Sequence, residues 1–508
     1  MKKKKLRLLR VSCEVLFFIL IFLSFFRLFP QSLKVISIKS QISPDAISFF
    51  YEGFLISLFL LVLSLLIALI FGRIYCSFFC PLGGFQDILI RIKKRRKFSY
   101  KKPLILIKTT ILILAVISLI SGSLYIISYL DPYSIFGRAV NYLLKPFIAL
   151  INNGGELFLR KVNIYALRIM EFPTFNPLNL APFILILGTI IYFSIKRGRL
   201  YCNSICPLGT MLGILSTRSL FEIEIDKESC TGCGICESVC KAECINSKDK
   251  TVDNSSCIRC FNCLNVCPIS ALSYKPAIKR EKSSAAKKQN ISRRNFLYSF
   301  LGILGFSGVN LFLRGKKIPA NYTPPPTPPG SISLDKYISK CTACYLCVNN
   351  CPTNVLQPSL FHYGIKGVFI PYMDFYSGYC SYECTRCLEV CPTDAITPHT
   401  VEEKKKIQIG RVKFIKENCV VYRNNTNCGA CGEICPTAAV TMIPYKGTLS
   451  IPKTQPSICI GCGACQNVCP ASPEKAIVVE TNILHREAKI PERKSRRKQG
   501  KTTEDFPF

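Results

Sequence analysis

Hydrophobic positions in this chain are gathered into long runs rather than spread in short alternations. Five runs, residues 11–29, 53–72, 109–130, 178–195 and 296–313, approach or exceed the length that crosses a bilayer as a helix, which is roughly 17 to 25 apolar residues. The first holds Glu14 and Arg27 near its ends, where long side chains can reach the interface. A weaker, one-sided apolar stretch from Val140 to Leu159 is expected to lie on the membrane surface.

Charge orients these runs. Lys2 to Lys5 with Arg7 and Arg10 precede the first. Arg91 to Lys102 holds eight Lys and Arg between the second and third; Lys196, Arg197 and Arg199 follow the fourth; Lys275 to Arg294 precedes the fifth. If every run spans, all four clusters fall on one side, the cytoplasm by the positive-inside rule. The net charge of +35 is thereby accounted for at anionic lipid, and with no aromatic-basic motif beside it the chain is not expected to bind nucleic acid.

Cysteine changes the picture most. Of 30 cysteines, 24 form six quartets. Four read C-x2-C-x2-C-x3-C: Cys230, Cys233, Cys236, Cys240; Cys257, Cys260, Cys263, Cys267; Cys341, Cys344, Cys347, Cys351; and Cys459, Cys462, Cys465, Cys469. Cys380, Cys384, Cys387, Cys391 and Cys419, Cys428, Cys431, Cys435 open wider. Three closely spaced thiolates wrap one 4Fe-4S cube, and the fourth, usually followed by Pro, ligates its neighbour. Zinc also takes C-x-x-C pairs, but seldom in this repeated pattern. The spacing predicts six 4Fe-4S clusters held by these cysteines. In residues 221–275, Cys267 should complete the set of Cys230, Cys233 and Cys236, and Cys240 that of Cys257, Cys260 and Cys263. Lys241 stands where Pro usually follows the fourth cysteine. Among the last four quartets, neighbours may pair, or the first may pair with the last.

A second repeat lies within the apolar region. Gly72-Arg73-Ile74-Tyr75-Cys76-Ser77-Phe78-Phe79-Cys80-Pro81-Leu82-Gly83 recurs as Gly198-Arg199-Leu200-Tyr201-Cys202-Asn203-Ser204-Ile205-Cys206-Pro207-Leu208-Gly209. Each copy follows an apolar run, so Cys76, Cys80, Cys202 and Cys206 could meet to bind metal or to cycle between dithiol and disulfide; the alternative is a helix stop at Pro with packed thiols. Cys13 and Cys244 are expected to be unliganded. Ser292-Arg293-Arg294-Asn295-Phe296-Leu297 resembles an internal twin-arginine export signal, and the prolines from Pro324 to Pro329 form a stiff linker. There is no C-x-x-C-H for covalent haem and only His362, His399 and His485 are present, all beyond the last run.

The fold class expected is an α-helical membrane domain plus α+β bacterial-ferredoxin-like modules, each with two 4Fe-4S clusters. Residues 1–220 form the four-span domain and 221–275 a cytoplasmic two-cluster module; 276–330 hold the basic linker, the signal anchor and the Pro-rich segment. Residues 331–480 form an exported four-cluster module, and 481–508 a basic tail.

Residues 1–275 resemble NapH-type membrane ferredoxin-type proteins of periplasmic nitrate reductase systems, on the four runs, the motifs Cys76-Cys80-Pro81 and Cys202-Cys206-Pro207, and the two-cluster module. Residues 291 to about 480 resemble the NapG-type exported four-cluster proteins, a pattern shared with methylamine-utilisation (MauN/MauM-like) proteins; fusion of both in one chain is the departure. The resemblance implies a quinol dehydrogenase of the inner membrane, with the quinone pool and lipid as partners on one side and a periplasmic reductase or cytochrome c on the other. Cys76, Cys80, Cys202 and Cys206 are the candidates for its reactive groups. A maturation factor for a copper or haem enzyme is the competing class.

Overall fold

The computed structural model describes residues 2–26, 29–52, 55–92, 97–122, 124–167, 169–170, 177–277 and 323–489. The twin-arginine segment and the run 296–313 lie outside the described residues. The chain forms two compact units, Met1–Asp374 with Thr385–His399, and Phe375–Cys384 with Thr400–Phe508.

Helices dominate the first unit up to Ser216. Two of them, Pro132–Lys161 and Leu180–Arg197, are long and apolar enough to cross a membrane. The apolar helices Leu55–Phe71 and Ile105–Ile120 are shorter, at 17 and 16 residues; at 1.5 Å per residue the latter spans about 24 Å. The expected run 109–130 is broken, because Gly122 takes a left-handed φ of +71° and the chain restarts as Tyr125–Leu130. The stretch expected on the membrane surface instead continues the helix that starts at Pro132, through a π turn at Val140–Leu144. Asp131 begins that helix by accepting from Ser134 N at 2.8 Å, and Pro132 supplies a pre-set first turn. A soluble core helix would be mostly covered, yet Leu180–Arg197 leaves Ile184, Leu185 and Tyr192 more than half exposed, and Leu55–Phe71 does the same with Leu55, Ile56 and Phe59.

Each repeat produces the same local break. A long apolar helix ends at Gly72 (φ +78°) or Gly198 (φ +59°), values that a side chain would strain. A single turn follows, Tyr75–Phe78 or Leu200–Ser204, and a new helix starts at Pro81 or Pro207.

The two-cluster module is built on antiparallel strands Phe221–Ile225 and Leu272–Pro276, with a small hairpin of Ile245–Asn246 and Thr251–Val252. It packs against the repeats directly. A Cβ on Gly72 would lie 2.6 Å from Arg259 Nε, one on Gly198 would strike the Lys241 carbonyl, and Leu220 N donates to Leu69 O at 2.8 Å. One continuous core therefore runs from the four repeat cysteines into the module.

Cys341–Cys351 lies elsewhere on the same unit. Lys34 Nζ donates to Asn350 Oδ1 at 2.6 Å, and Asn350 Nδ2 to Ser24 O at 3.4 Å. Arg10, near the start of helix Lys2–Ser24, binds Ser77 O on the first repeat. The points where the first repeat and Asn350 touch that helix, Arg10 and Ser24, are about 21 Å apart along its axis. Leu356–Gln357 pairs with Tyr372–Met373 beside the second segment.

The second unit is built on Ile407–Phe414 paired with Ile477–Glu487, and Val440–Pro444 paired with Ser450–Thr454. The strand from Ile477 runs past residue 480, with Glu487 opposite Ile407.

Candidate functional site

The two repeats face one another and exchange arginines. Arg73 donates through Nη2 to Cys202 O at 2.9 Å, and Arg199 through Nη1 to Cys76 O at 3.2 Å. Gly83 and Gly209 make this approach possible. A Cβ on Gly83 would stand 2.5 Å from Cys76 O and 2.6 Å from Arg199 Nη1, and one on Gly209 would strike Cys202 O. Cys76, Cys80, Cys202 and Cys206 are all buried. Cys206 has the other three as electrostatic neighbours, and Cys80 has Cys202 and Cys76. Gly209 N donates to Cys206 Sγ at 3.3 Å, Cys202 Sγ donates to Gln86 Oε1 at 3.1 Å, and Arg73 Nη2 lies 3.9 Å from Cys76 Sγ. Guanidinium groups beside thiols favour a site that carries negative charge.

Five buried charges tie this site to the module. Asp87 receives Arg199 at 2.7 Å, Lys241 at 2.8 Å and Arg10; Glu14 receives Arg10 at 2.9 Å and Arg199 at 3.6 Å. Glu14 is therefore a buried partner in a network and not an interfacial residue, which corrects its expected placement. Lys241, the departure from the usual Pro, is the module's ionic anchor.

Within the module the expected sets assemble. Burial pushes the Cys236 thiol up to about 11, with Cys230, Cys233 and Cys267 crowding it. Cys263 is pushed up by burial and by Cys260, Cys257 and Cys240. Cys244, expected to be a bystander, lies among them: its Sγ is 3.4 Å from Cys240 Sγ, and its hydrogen bond draws Cys257 down to about 6.

Farther along the chain, Cys391 joins Cys341, Cys344 and Cys347 in the first unit. In the second unit Cys469 and Cys419 join Cys428 and Cys431, and Cys435 joins Cys459, Cys462 and Cys465. This is the exchange between neighbouring quartets, so of the two open pairings it is the one the chain adopts at these sites. Cys380 and Cys384 fall in the second unit, Cys387 in the first.

The donor sets fit cubes better than single ions. Zinc draws four ligands to one centre at about 2.0 to 2.3 Å, and among the described residues no three His, Cys, Asp or Glu groups converge so closely. Buried thiols crowded at wider spacing suit a cluster with an iron at each corner.

Between the four repeat thiols and Cys341–Cys351 lies a layer of polar and aromatic side chains. Tyr75 OH donates to Gln41 at 2.8 Å and Tyr201 OH to Leu130 O at 2.6 Å. Arg138, fully buried, donates to Ser128 O at 2.7 Å and stacks 4.6 Å over Phe369. Tyr142 meets Tyr345 edge-on at 5.9 Å, and a Cβ on Gly137 would strike Cys344 O. Sequence reasoning missed Arg10, Asp87, Arg138 and Cys244. The repeated Gly-Arg was the one available signal for the arginines at 73 and 199.

Comparison with known proteins agrees with the cysteine pattern. A family described as 4Fe-4S binding domain matches residues 54–99 and 178–223, the two repeats, and a second of that description matches 223–246. Families described as 4Fe-4S dicluster domain match 253–355, 340–396, 379–439 and 424–473. The chain is 23% identical over 183 residues to the ferredoxin-type protein NapH of Escherichia coli, covering 35% of this chain and 51% of that one. It is 24% identical over 187 residues to the methylamine utilization ferredoxin-type protein MauN of Paracoccus denitrificans, covering 35% and 52%. To the uncharacterized protein MJ0749 of Methanocaldococcus jannaschii it is 27% identical over 189 residues, covering 35% and 55%. The chain spans about half the length of these curated relatives. No solved structure matches. These likenesses make it an iron–sulfur protein of ferredoxin type related to NapH and MauN; the NapG-like likeness of the later residues, and the fusion, rest on the cysteine pattern.

Proposed function

We propose that this chain is a membrane-bound iron–sulfur electron-transfer protein of the quinol dehydrogenase type, in which the four repeat thiols form the relay between two ferredoxin-type regions. The observation that carries the reading is placement: Cys76, Cys80, Cys202 and Cys206 share one core with the two-cluster module, and polar and aromatic side chains, among them Tyr75, Tyr201, Arg138 and Tyr142, fill the space towards Cys341–Cys351. The cysteines at 230–267 and 341–469 would hold the cubes, which when bound accept and release single electrons. The repeat thiols, beside Arg73 and Arg199, suit a further iron–sulfur or dithiol centre, and the family matched at both repeats supports the former.

About 30 Å of hydrocarbon separates the two surfaces of a bilayer, and a relay on the membrane side of the module shortens the step to be crossed. The exposed apolar faces of Leu55–Phe71 and Leu180–Arg197 support a multi-pass membrane location. On the charge pattern, residues 221–275 would be cytoplasmic and 331–480 periplasmic, with the quinone pool as electron donor and a periplasmic reductase or cytochrome c as acceptor. A maturation factor would need thiols that a client can reach; burial of all four argues for a relay.

The test is electron transfer across proteoliposomes holding the full chain. A reductant kept on the Lys241 side should reduce the clusters at 341–469 in the parent protein. In Cys80→Ser or Cys206→Ser variants, with cube iron retained, that reduction should fall at least tenfold. Parent-like rates in both variants would remove the relay.

A further inference from the structure

The cavity where the second cube of the two-cluster module would sit has five thiols on its wall. Cys240, Cys257, Cys260 and Cys263 are the expected ligands, and Cys244 lines the same cavity with Ile223, Val252 and Phe261 closing it. A 4Fe-4S cube has four irons and takes four protein thiolates, so one thiol is in excess. It is not a distant bystander. Cys244 Sγ lies 3.4 Å from Cys240 Sγ, and its backbone N–H donates to that same sulfur at 3.5 Å. Both cysteines are buried.

We infer that Cys244 is a reserve ligand of this cube, able to take the iron position held by Cys240. This rests on the reading of these cysteines as a cluster site. The exchange balances without any co-reactant. The iron–sulfur bond to Cys240 breaks and one to Cys244 forms. The proton of the Cys244 thiol passes to the Cys240 sulfur beside it, and no electron is gained or lost.

Position gives the exchange a purpose. Cys240 belongs to the segment whose next residue, Lys241, is held by Asp87 at 2.8 Å and whose carbonyl accepts from Arg199 N at 2.8 Å. Cys244 instead precedes the hairpin strand Ile245–Asn246. One ligand ties the cube to the relay and the other to the module's own sheet, so the cube would survive a movement of the docked segment. At the first cube the thiols crowding Cys236 are Cys230, Cys233 and Cys267, the expected ligands of that cube.

The experiment compares cluster iron and the paramagnetic resonance of the reduced cubes in anaerobically reconstituted full-length protein. Cys240→Ser should keep this cube, with a shifted signal, while Cys240→Ser with Cys244→Ser should lose about four irons. Cys263→Ser, which removes a ligand with no reserve, should lose the same cube alone. If Cys240→Ser loses the cube as fully as the double variant while Cys263→Ser also does, the inference is overturned and the cluster reading stands. If Cys263→Ser and the double variant both keep all iron, the cluster reading itself fails, and the inference with it. A second measurement needs no loss of a resting ligand: Cys244→Ala should hold full iron but lose this cube to a chelator severalfold faster than the parent. Equal lifetimes would overturn the inference even if Cys240→Ser protein failed to fold.

Discussion

The two Cys-x3-Cys-Pro hairpins have nearly the same sequence and the same break, yet their arginines meet different partners. Arg199 finds a carboxylate: Asp87, seven residues after Cys80, binds its Nε at 3.0 Å and its Nη2 at 2.7 Å. At the corresponding place after Cys206 the chain has Gly213, and Arg73 instead donates to Asn203 Oδ1 at 2.8 Å and Ser255 O at 3.0 Å. Its Nε has no partner among the described residues. Gly213 is also a point where the module comes close, since a Cβ there would stand 2.8 Å from Ser255 O. Duplication thus supplied two equal hairpins. One has become the ionic anchor for Arg10 and Lys241; the other places its guanidinium on carbonyl and amide oxygens, beside the thiols and against the module.

The sharpest way to break this comparison is Asp87→Asn. It leaves Arg10, Arg199 and Lys241 with Glu14 as the one buried carboxylate in the network, and stranding buried charge costs about 3 to 5 kcal/mol. Thermal unfolding should show that loss, with the module becoming sensitive to protease. A parent-like unfolding temperature would mean that the network is solvated.

Next in size are Gly83→Ala and Gly209→Ala. Each puts a methyl against a carbonyl of its own hairpin and beside the arginine that reaches in from the other, and overpacking of this kind costs about 1 to 3 kcal/mol. The two variants should be equally destabilised and should both lose the relay. A harmless Gly209→Ala would show that the second hairpin is the looser of the two.

The smallest effects are expected where the module touches the long helices. Tyr274 OH donates to Phe71 O at 3.1 Å on the first, and Glu243 pairs with Arg197 at 3.0 Å on the second. Tyr274→Phe and Glu243→Gln should each cost about 1 kcal/mol or less, since both contacts reach solvent on one side. Thermal unfolding of each variant checks it; a loss as large as that of Asp87→Asn would place the module's anchorage at these contacts and not at Asp87.

The cysteine spacing was enough to say which thiols of the module lie together, because a tight turn of three cysteines and a returning fourth are local geometry. Cys240 and Cys267 exchange as their spacing required. The repeat was legible for the same reason: Gly, Cys-x3-Cys and Pro impose a left-handed turn, one helical turn and a restart, whatever surrounds them. The pairing among the later quartets was not legible, since neighbouring and nested exchange satisfy the same spacing and only packing chooses. The apolar run 109–130 misled at Gly122, where a backbone turn outweighed hydropathy.

What the sequence by itself determined is the inventory of thiols and the shape of each short segment that presents them, because those follow from backbone preference within a few residues. Which thiols meet was decided by tertiary structure. The sequence offered no sign that Lys241 would reach Asp87, 154 residues away, or that Arg73 and Arg199 would cross between hairpins, because a buried charge takes whichever partner the fold brings within about 3 Å. Cys244 is the clearest case. Three residues separate it from Cys240 in the chain, and only folding around a common cavity turned a spare thiol into a fifth one at a four-cornered site.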